Sequence, residues 1–120
     1  PLIMAAKYNH EVVLRLLLCD RRTDVNASDD SGYTPLHAAT DSGHANIARA
    51  LLEDTRTNPN PGDQDGETPM HVAARFERLE VIKVFLADGR VNTNHQDNRM
   101  RTPLYIAADH GHPSVVKLLL

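Results

Sequence analysis

The sequence predicts an all-α solenoid in which short helix-turn-helix units, joined by extended loops, stack side by side into one array. Three observations carry this. First, Thr34-Pro35-Leu36-His37-Ala38-Ala39 recurs as Thr68-Pro69-Met70-His71-Val72-Ala73 and again as Thr102-Pro103-Leu104-Tyr105-Ile106-Ala107, each time after 34 residues. A fixed period in this range marks repeat architectures. Second, 41% of the 120 residues are apolar, yet only 4% are aromatic and Trp is absent. Leu, Ala and Val suit thin layers of short helices better than a globule built around large rings. Third, small pairs fall in each first helix, namely Ala5-Ala6, Ala38-Ala39, Ala73-Ala74 and Ala107-Ala108. They allow neighbouring layers to approach closely.

The elements follow in order. Pro1-Leu2 falls on Pro35-Leu36, so the chain divides into units of about 1–33, 34–67 and 68–101, with an incomplete unit at 102–120. Thr34 is an N-cap, because its side-chain oxygen can accept from an orphan amide of the first turn. Pro35 follows at the first helical position, where its missing N–H is no loss. A helix runs roughly from Pro35 to Asp41, Ser42-Gly43-His44 breaks it, and a second helix runs roughly from Asn46 to Glu53. The pairs Val12-Val13, Ile47-Ala48, Val81-Ile82 and Val115-Val116 are read as equivalent in these second helices. Leu17-Leu18, Leu51-Leu52, Phe85-Leu86 and Leu119-Leu120 follow them. In the first unit Val12, Val13, Leu16 and Leu17 share one helical face. The stretch from about Thr55 to Glu67 is rich in Asn, Pro, Asp and Gly and reads as an extended loop with a turn at its tip. Asn26, Asn60 and Asn94 recur in these loops, as do Asp29, Asp63 and Asp97. Gly32 and Gly66 align, with Met100 at the last equivalent position. One unit cannot bury its own apolar face, so the units must stack.

Composition excludes several functions. The net charge is -3 with both signs interspersed and no Lys/Arg stripe, so nucleic-acid binding has no electrostatic footing. No run approaches the roughly 20 apolar residues of a bilayer span, so no membrane insertion is expected. The opening PLIMAAKYNHEVV lacks the basic leader and apolar core of a signal peptide. The lone Cys19 is expected late in a helix and partly buried, and fits a reducing compartment. An intracellular location, cytoplasmic or nuclear, is therefore expected. There is no Gly-rich phosphate loop and no Ser/His/Asp arrangement, so no catalytic residue, cofactor or small-molecule substrate is expected. His37 and His71 fall in successive layers instead of converging on one metal ion. His110 and His112 lack the cysteines or carboxylates that would complete a site. Asp29, Asp30, Asp63, Asp65 and Asp97 lack calcium-loop spacing and a closing Glu, so they read as turn formers.

Thr-Pro-Leu-His-x-Ala, then Gly43-His44, a Val/Ile pair and a Leu run, resembles the ankyrin repeat, and the resemblance covers nearly the whole chain. A tetratricopeptide-type repeat has Trp, Gly-Tyr and late-Pro positions that are missing here. The resemblance implies antiparallel helix pairs, loop tips projecting as fingers, and a curved stack. Its concave groove, lined by first helices and fingers, usually binds partner proteins. It also implies that His37 and His71 tie helix starts to neighbouring backbone. Asn26, Asn60 and Asn94 lie in loops resembling ankyrin sites of asparagine hydroxylation, with loop hydrogen bonding as their ordinary role.

Several features depart from the family pattern. Each unit carries one extra residue between the second helix and the loop Asn, as in Cys19 to Asn26, and this is expected to bulge at the back or side. Glu77-Arg78 replaces Gly-His, so that turn is expected to take another conformation. Met100 is expected to reshape the last finger, and Tyr105 replaces the motif His. Lys117-Leu118-Leu119-Leu120 is not a polar cap, so a longer array in the parent protein is expected.

Function is sought where aligned units differ. Groove positions on the first helices hold Lys7 and Tyr8, Asp41 and Ser42, Arg75 and Phe76, Asp109 and His110. On the fingers they hold Asp30, Ser31 and Tyr33, then Gln64, Asp65 and Glu67, then Asn98, Arg99 and Arg101. These are the candidate partner-binding residues. Tyr8, Tyr33 and Phe76 are suited to anchor a partner, since aromatics and Arg dominate interface hot spots. Finger charges grade from acidic to basic, which would steer a complementary partner. The expected function is a protein-interaction module. The alternative is a structural or regulatory segment of a larger enzyme, channel or effector.

Overall fold

The computed structural model describes residues 1–120. Eight helices form: α1 (Leu2–Lys7), α2 (Glu11–Cys19), α3 (Pro35–Ser42), α4 (Ala45–Glu53), α5 (Pro69–Arg75), α6 (Leu79–Ala87), α7 (Pro103–Asp109) and α8 (Pro113–Leu119). Each hairpin pair packs on the next. The first helices α1, α3, α5 and α7 make an inner row, and α2, α4, α6 and α8 an outer row. One apolar cluster runs through all four layers, from Leu2 to Val115. The body is elongated, 39 Å by 25 Å by 24 Å.

The caps form as their residue types dictate. Thr34 Oγ1 accepts from the amide of His37, and Thr102 Oγ1 from that of Tyr105 at 3.2 Å. Ala39 and Ala73 are fully buried where inner helices meet, but the small pair lies one residue on from its expected register in the second unit. It is Ala39-Thr40. The Thr40 hydroxyl donates to Leu36 O at 2.7 Å, which lets a polar residue occupy a buried layer contact.

The outer-helix register also needs correcting in the first unit. The equivalent of Ile47-Ala48 is Val13-Leu14: Leu14 is fully buried, whereas Val12 is 74% exposed and Leu16 67%. Spacing of i, i+1, i+4 and i+5 describes a helical stripe without fixing which side meets the inner row. The 34-residue register fixes it, because Val12 then falls on Asn46 and Glu80 at the outer surface. Cys19 is exposed at the end of α2, not partly buried.

The turn inside each hairpin is uniform. Asn9, Gly43, Glu77 and Gly111 all take left-handed φ values of 60°, 76°, 56° and 70°. Glu77-Arg78 therefore keeps the conformation it was expected to lose. Left-handed backbone costs a non-glycine residue roughly 1–2 kcal/mol, and the turn compensates through Arg78. His44 Nε2 meets Lys7 O at 3.1 Å and His112 Nε2 meets Arg75 O at 2.8 Å. Arg78 takes the same role by donating to Asp41 O from two nitrogens, the shorter at 2.6 Å.

The connection that holds the extra residue carries a second tie between layers. Arg56 pairs with Asp54 at 2.7 Å and donates to Leu18 O at 2.6 Å; Arg90 pairs with Asp88 and donates to Leu52 O. Those carbonyls belong to the C-terminal turns of α2 and α4, where helical partners run out. The connection therefore lies against the outer helices, and no groove candidate sits in it. The loop asparagines add a third tie. Asn26 donates to Arg56 O at 2.9 Å and accepts from Asn58 N at 2.7 Å, and Asn60 repeats this with Arg90 O and Asn92 N.

Candidate partner-binding groove

The fingers are built by one acid each. Asp29 Oδ1 accepts from the amides of Ser31 and Tyr33 at 2.9 and 3.0 Å, while Gly32 N closes the turn on Asp29 O at 3.0 Å. Asp63 and Asp97 do the same for the second and third fingers. Asp97 is buried, which favours its neutral form. The Arg101 and Arg99 amides and the Arg101 guanidinium outweigh that and hold its carboxyl below the ordinary 3.8.

Met100 does not reshape the last finger. Its φ of 62° matches the positive values at Gly32 and Gly66, and its amide bonds Asp97 O at 2.9 Å. Glycine at the other two tips answers a crowding demand. A Cβ on Gly66 would stand 2.4 Å from Asn98 Oδ1, and one on Gly32 would stand 2.9 Å from Gln64 N. Successive fingers are in backbone contact there, with Gln64 N donating to Ser31 O and Asn98 N to Asp65 O, both at 3.0 Å. Met100 is exposed and meets no further finger.

The motif histidines fix the fingers to the inner helices. His37 Nδ1 accepts from Thr34 N at 3.2 Å, so Nε2 carries the proton and donates to Glu67 O at 2.8 Å. His71 reaches Arg101 O in the same way at 2.8 Å. Burial lowers both imidazole pKa values below the ordinary 6.5, with the backbone carbonyl opposing it in part. Tyr105 at the third such position is exposed.

Above His37 lies Tyr33, its ring stacked at 4.9 Å and 17°. Burial and the nearby Asp41, Asp63 and Glu67 charges push its phenol up to about 12. Beside it, Glu67 is buried and turned inward. Both oxygens accept from Arg75, and Arg101 approaches at 3.4 Å while pairing with Asp97 at 2.9 Å. Glu67 thus knits two fingers to α5 instead of presenting its charge outward.

Two troughs result between the fingers. The first, about 300 Å³, is lined by Asp29, Ser31 and Tyr33 on one finger, by Asp63, Gln64, Asp65 and Glu67 on the next, and by Arg75 of α5. The second, about 260 Å³, adds Asn98, Arg99 and Arg101. Arg75, Asp65 and Glu67 border both. Lys7, Tyr8, Asp30, Asp41, Ser42, Phe76, Asp109 and His110 lie outside these troughs. Tyr8 and Phe76 are exposed, each with a cation near its ring: Lys7 at 5.4 Å and Arg78 at 6.0 Å. His110 Nδ1 is bound to Ile106 O at 3.0 Å. A further hollow, about 550 Å³, lies between α4 and α6 in the outer row and includes none of these candidates.

Sequence reasoning missed the ion network around Glu67. Its signal was present as opposite charges eight residues apart, Glu67 with Arg75, in aligned positions that hold other residues in neighbouring units. It also missed the ties made by Arg56 and Arg90, although Asp-x-Arg recurs at 20–22, 54–56 and 88–90.

A family model for ankyrin repeats in three copies matches residues 1–61 and 55–120. The chain belongs to the ankyrin-repeat family. No curated protein sequence matches it. Ankyrin repeats are generally protein–protein interaction modules and are generally non-catalytic. No helix of this array is long and apolar enough to cross a membrane.

Proposed function

We propose that this ankyrin array holds a partner protein in the groove formed by its inner helices and fingers, and that it has no catalytic activity of its own. The observation that carries this reading is the contrast between aligned positions. Those alike in every unit are spent on caps, turns and layer ties. Those that differ, Tyr33, Asp65, Arg75 and Arg99 among them, border open troughs on one side. Exposed Tyr8 and Phe76 supply further apolar contact at the inner-helix ends. An intracellular site of action, cytoplasmic or nuclear, goes with this reading.

Affinity capture tests it directly. The chain should retain a specific partner that Tyr33→Ala with Phe76→Ala releases, while the double variant keeps its helical content and melting behaviour. Equal capture by both proteins would count against this groove.

A second reading places the array inside a longer ankyrin stack serving a larger protein. Exposed Met4, Val13 and Leu16 favour it, because their equivalents Ala38, Ile47 and Ala50 are buried against a preceding layer. Lower urea stability of this chain than of a version extended by a flanking repeat would support that reading, and equal stability would oppose it.

A further inference from the structure

The groove's ion pairs leave some of its charges unmatched. Glu67 is matched by Arg75 and Arg101, and Arg101 also by Asp97. Asp29 and Asp63 accept amide hydrogens, and neither forms an ion pair: the nearby Arg75 is committed to Glu67. The Asp65 carboxylate is exposed and has no partner of its own. The first trough is therefore left negative, with the half-exposed Tyr33 ring as a wall braced by His37. The second trough shares Asp65 with the first and adds one unmatched cation on its far finger. The Arg99 guanidinium is exposed with no carboxylate paired to it.

We propose that the partner lays an extended segment across the fingers, placing a lysine or arginine side chain in the first trough and a carboxylate in the second, about three residues away. This deepens, and rests on, the groove reading above. The spacing follows from geometry. Four layers share a long axis of 39 Å, so successive troughs stand about 10 Å apart, the separation of packed helices. An extended chain advances about 3.3 Å per residue, which makes three residues. A cationic side chain over Tyr33 gains from the ring face as well as from the carboxylates. A polyanion would meet Asp29, Asp63 and Asp65, and a polycation would meet Arg99, so neither fits both troughs. A bare metal ion is disfavoured as the occupant, since no three His, Cys, Asp or Glu converge there.

The test uses three short capped peptides with Ser and Thr spacers, followed by amide shifts of the intact chain. One carries Lys and Glu three residues apart, one carries two Lys, and one carries two Glu. The mixed peptide should bind about threefold or more tighter than either like-charged one, since each exposed pair contributes weakly. Shifts should concentrate at residues 29–33, 63–67 and 97–101, and high salt should weaken binding. Asp65→Lys should weaken the mixed peptide by about threefold to tenfold. Arg99→Glu should do likewise while leaving the two-Lys peptide no weaker. Both side chains are exposed and neither anchors a turn, so the variants should stay folded.

Equal binding of all three peptides, or shifts centred on α4 and α6, would overturn the proposal. Partner capture that depends on Tyr33 and Phe76 but ignores both charge reversals would also overturn it, leaving the groove reading intact.

Discussion

His37 shows how much one side chain can organise. It caps its own helix, supports the Tyr33 ring and holds the next finger through Glu67 O. Both ring nitrogens are committed within a fully buried site. His37→Ala should therefore cost about 2–4 kcal/mol, from lost hydrogen bonds, an orphaned carbonyl and a cavity. Urea unfolding measures it. The same burial gives a pH dependence. The folded pKa values of His37 and His71 lie below the ordinary 6.5, so on acidification the unfolded chain takes up protons first. Stability is full above 6.5 and is lost as pH falls through the window beneath it. Asp54, Asp88 and Asp97 are also depressed from 3.8, so their contribution is lost in the same direction at lower pH. The urea midpoint should fall between neutral pH and mildly acidic pH, and His37→Gln should make that fall shallower. The residue pattern made this histidine's structural role legible. It could not reveal that Glu67 is buried, because that depends on Arg75 and Arg101 converging from an inner helix and another finger.

At the scale of the element, backbone conformation outlasts residue identity. The sequence suggested that Glu77-Arg78 and Met100 would alter their turns. Instead each keeps a left-handed φ, because the surrounding hydrogen bonds over-determine the loop. Glycine at these positions is worth having for two separable reasons, φ and crowding. Gly66 meets both demands, whereas at Met100 only φ matters. Gly66→Ala should therefore destabilise by about 1–3 kcal/mol, with disturbance of the neighbouring Asn98 finger. Met100→Gly should stabilise by about 0.5–1 kcal/mol, the roughly 1–2 kcal/mol left-handed cost relieved less the roughly 0.5–1 kcal/mol of chain entropy a glycine adds. Urea midpoints of the two variants moving in the same direction would contradict this separation. Helix locations were legible from caps and Pro positions. The α2 register was not, since four apolar residues at helical spacing can be slid by one until a neighbouring layer selects Leu14.

Across the whole molecule, cohesion comes from ties that skip from layer to layer over a shared apolar core. Arg56 and Arg90 clamp the outer helices, Asn26 and Asn60 the loop bases, and His44, Arg78 and His112 the hairpin turns. Arg22 occupies the equivalent position in the first unit, but its side chain is 91% exposed against 33% for Arg56, and it binds only Asp20. Arg56→Ala should lower the urea midpoint, while Arg22→Ala should leave it unchanged within error. The stack itself was legible from the period alone. Which variable residues share a trough was not, because finger-to-finger pairing sets it, and Tyr8 and Phe76 stand apart from the troughs that gather Tyr33, Asp65 and Arg99. The central claim is that those troughs hold a partner. Hydrogen exchange of the chain with and without its captured partner tests it most directly. New protection should appear at residues 29–33, 63–67 and 97–101 and leave α4 and α6 as they were; protection confined to α4 and α6, with the fingers unchanged, would contradict it.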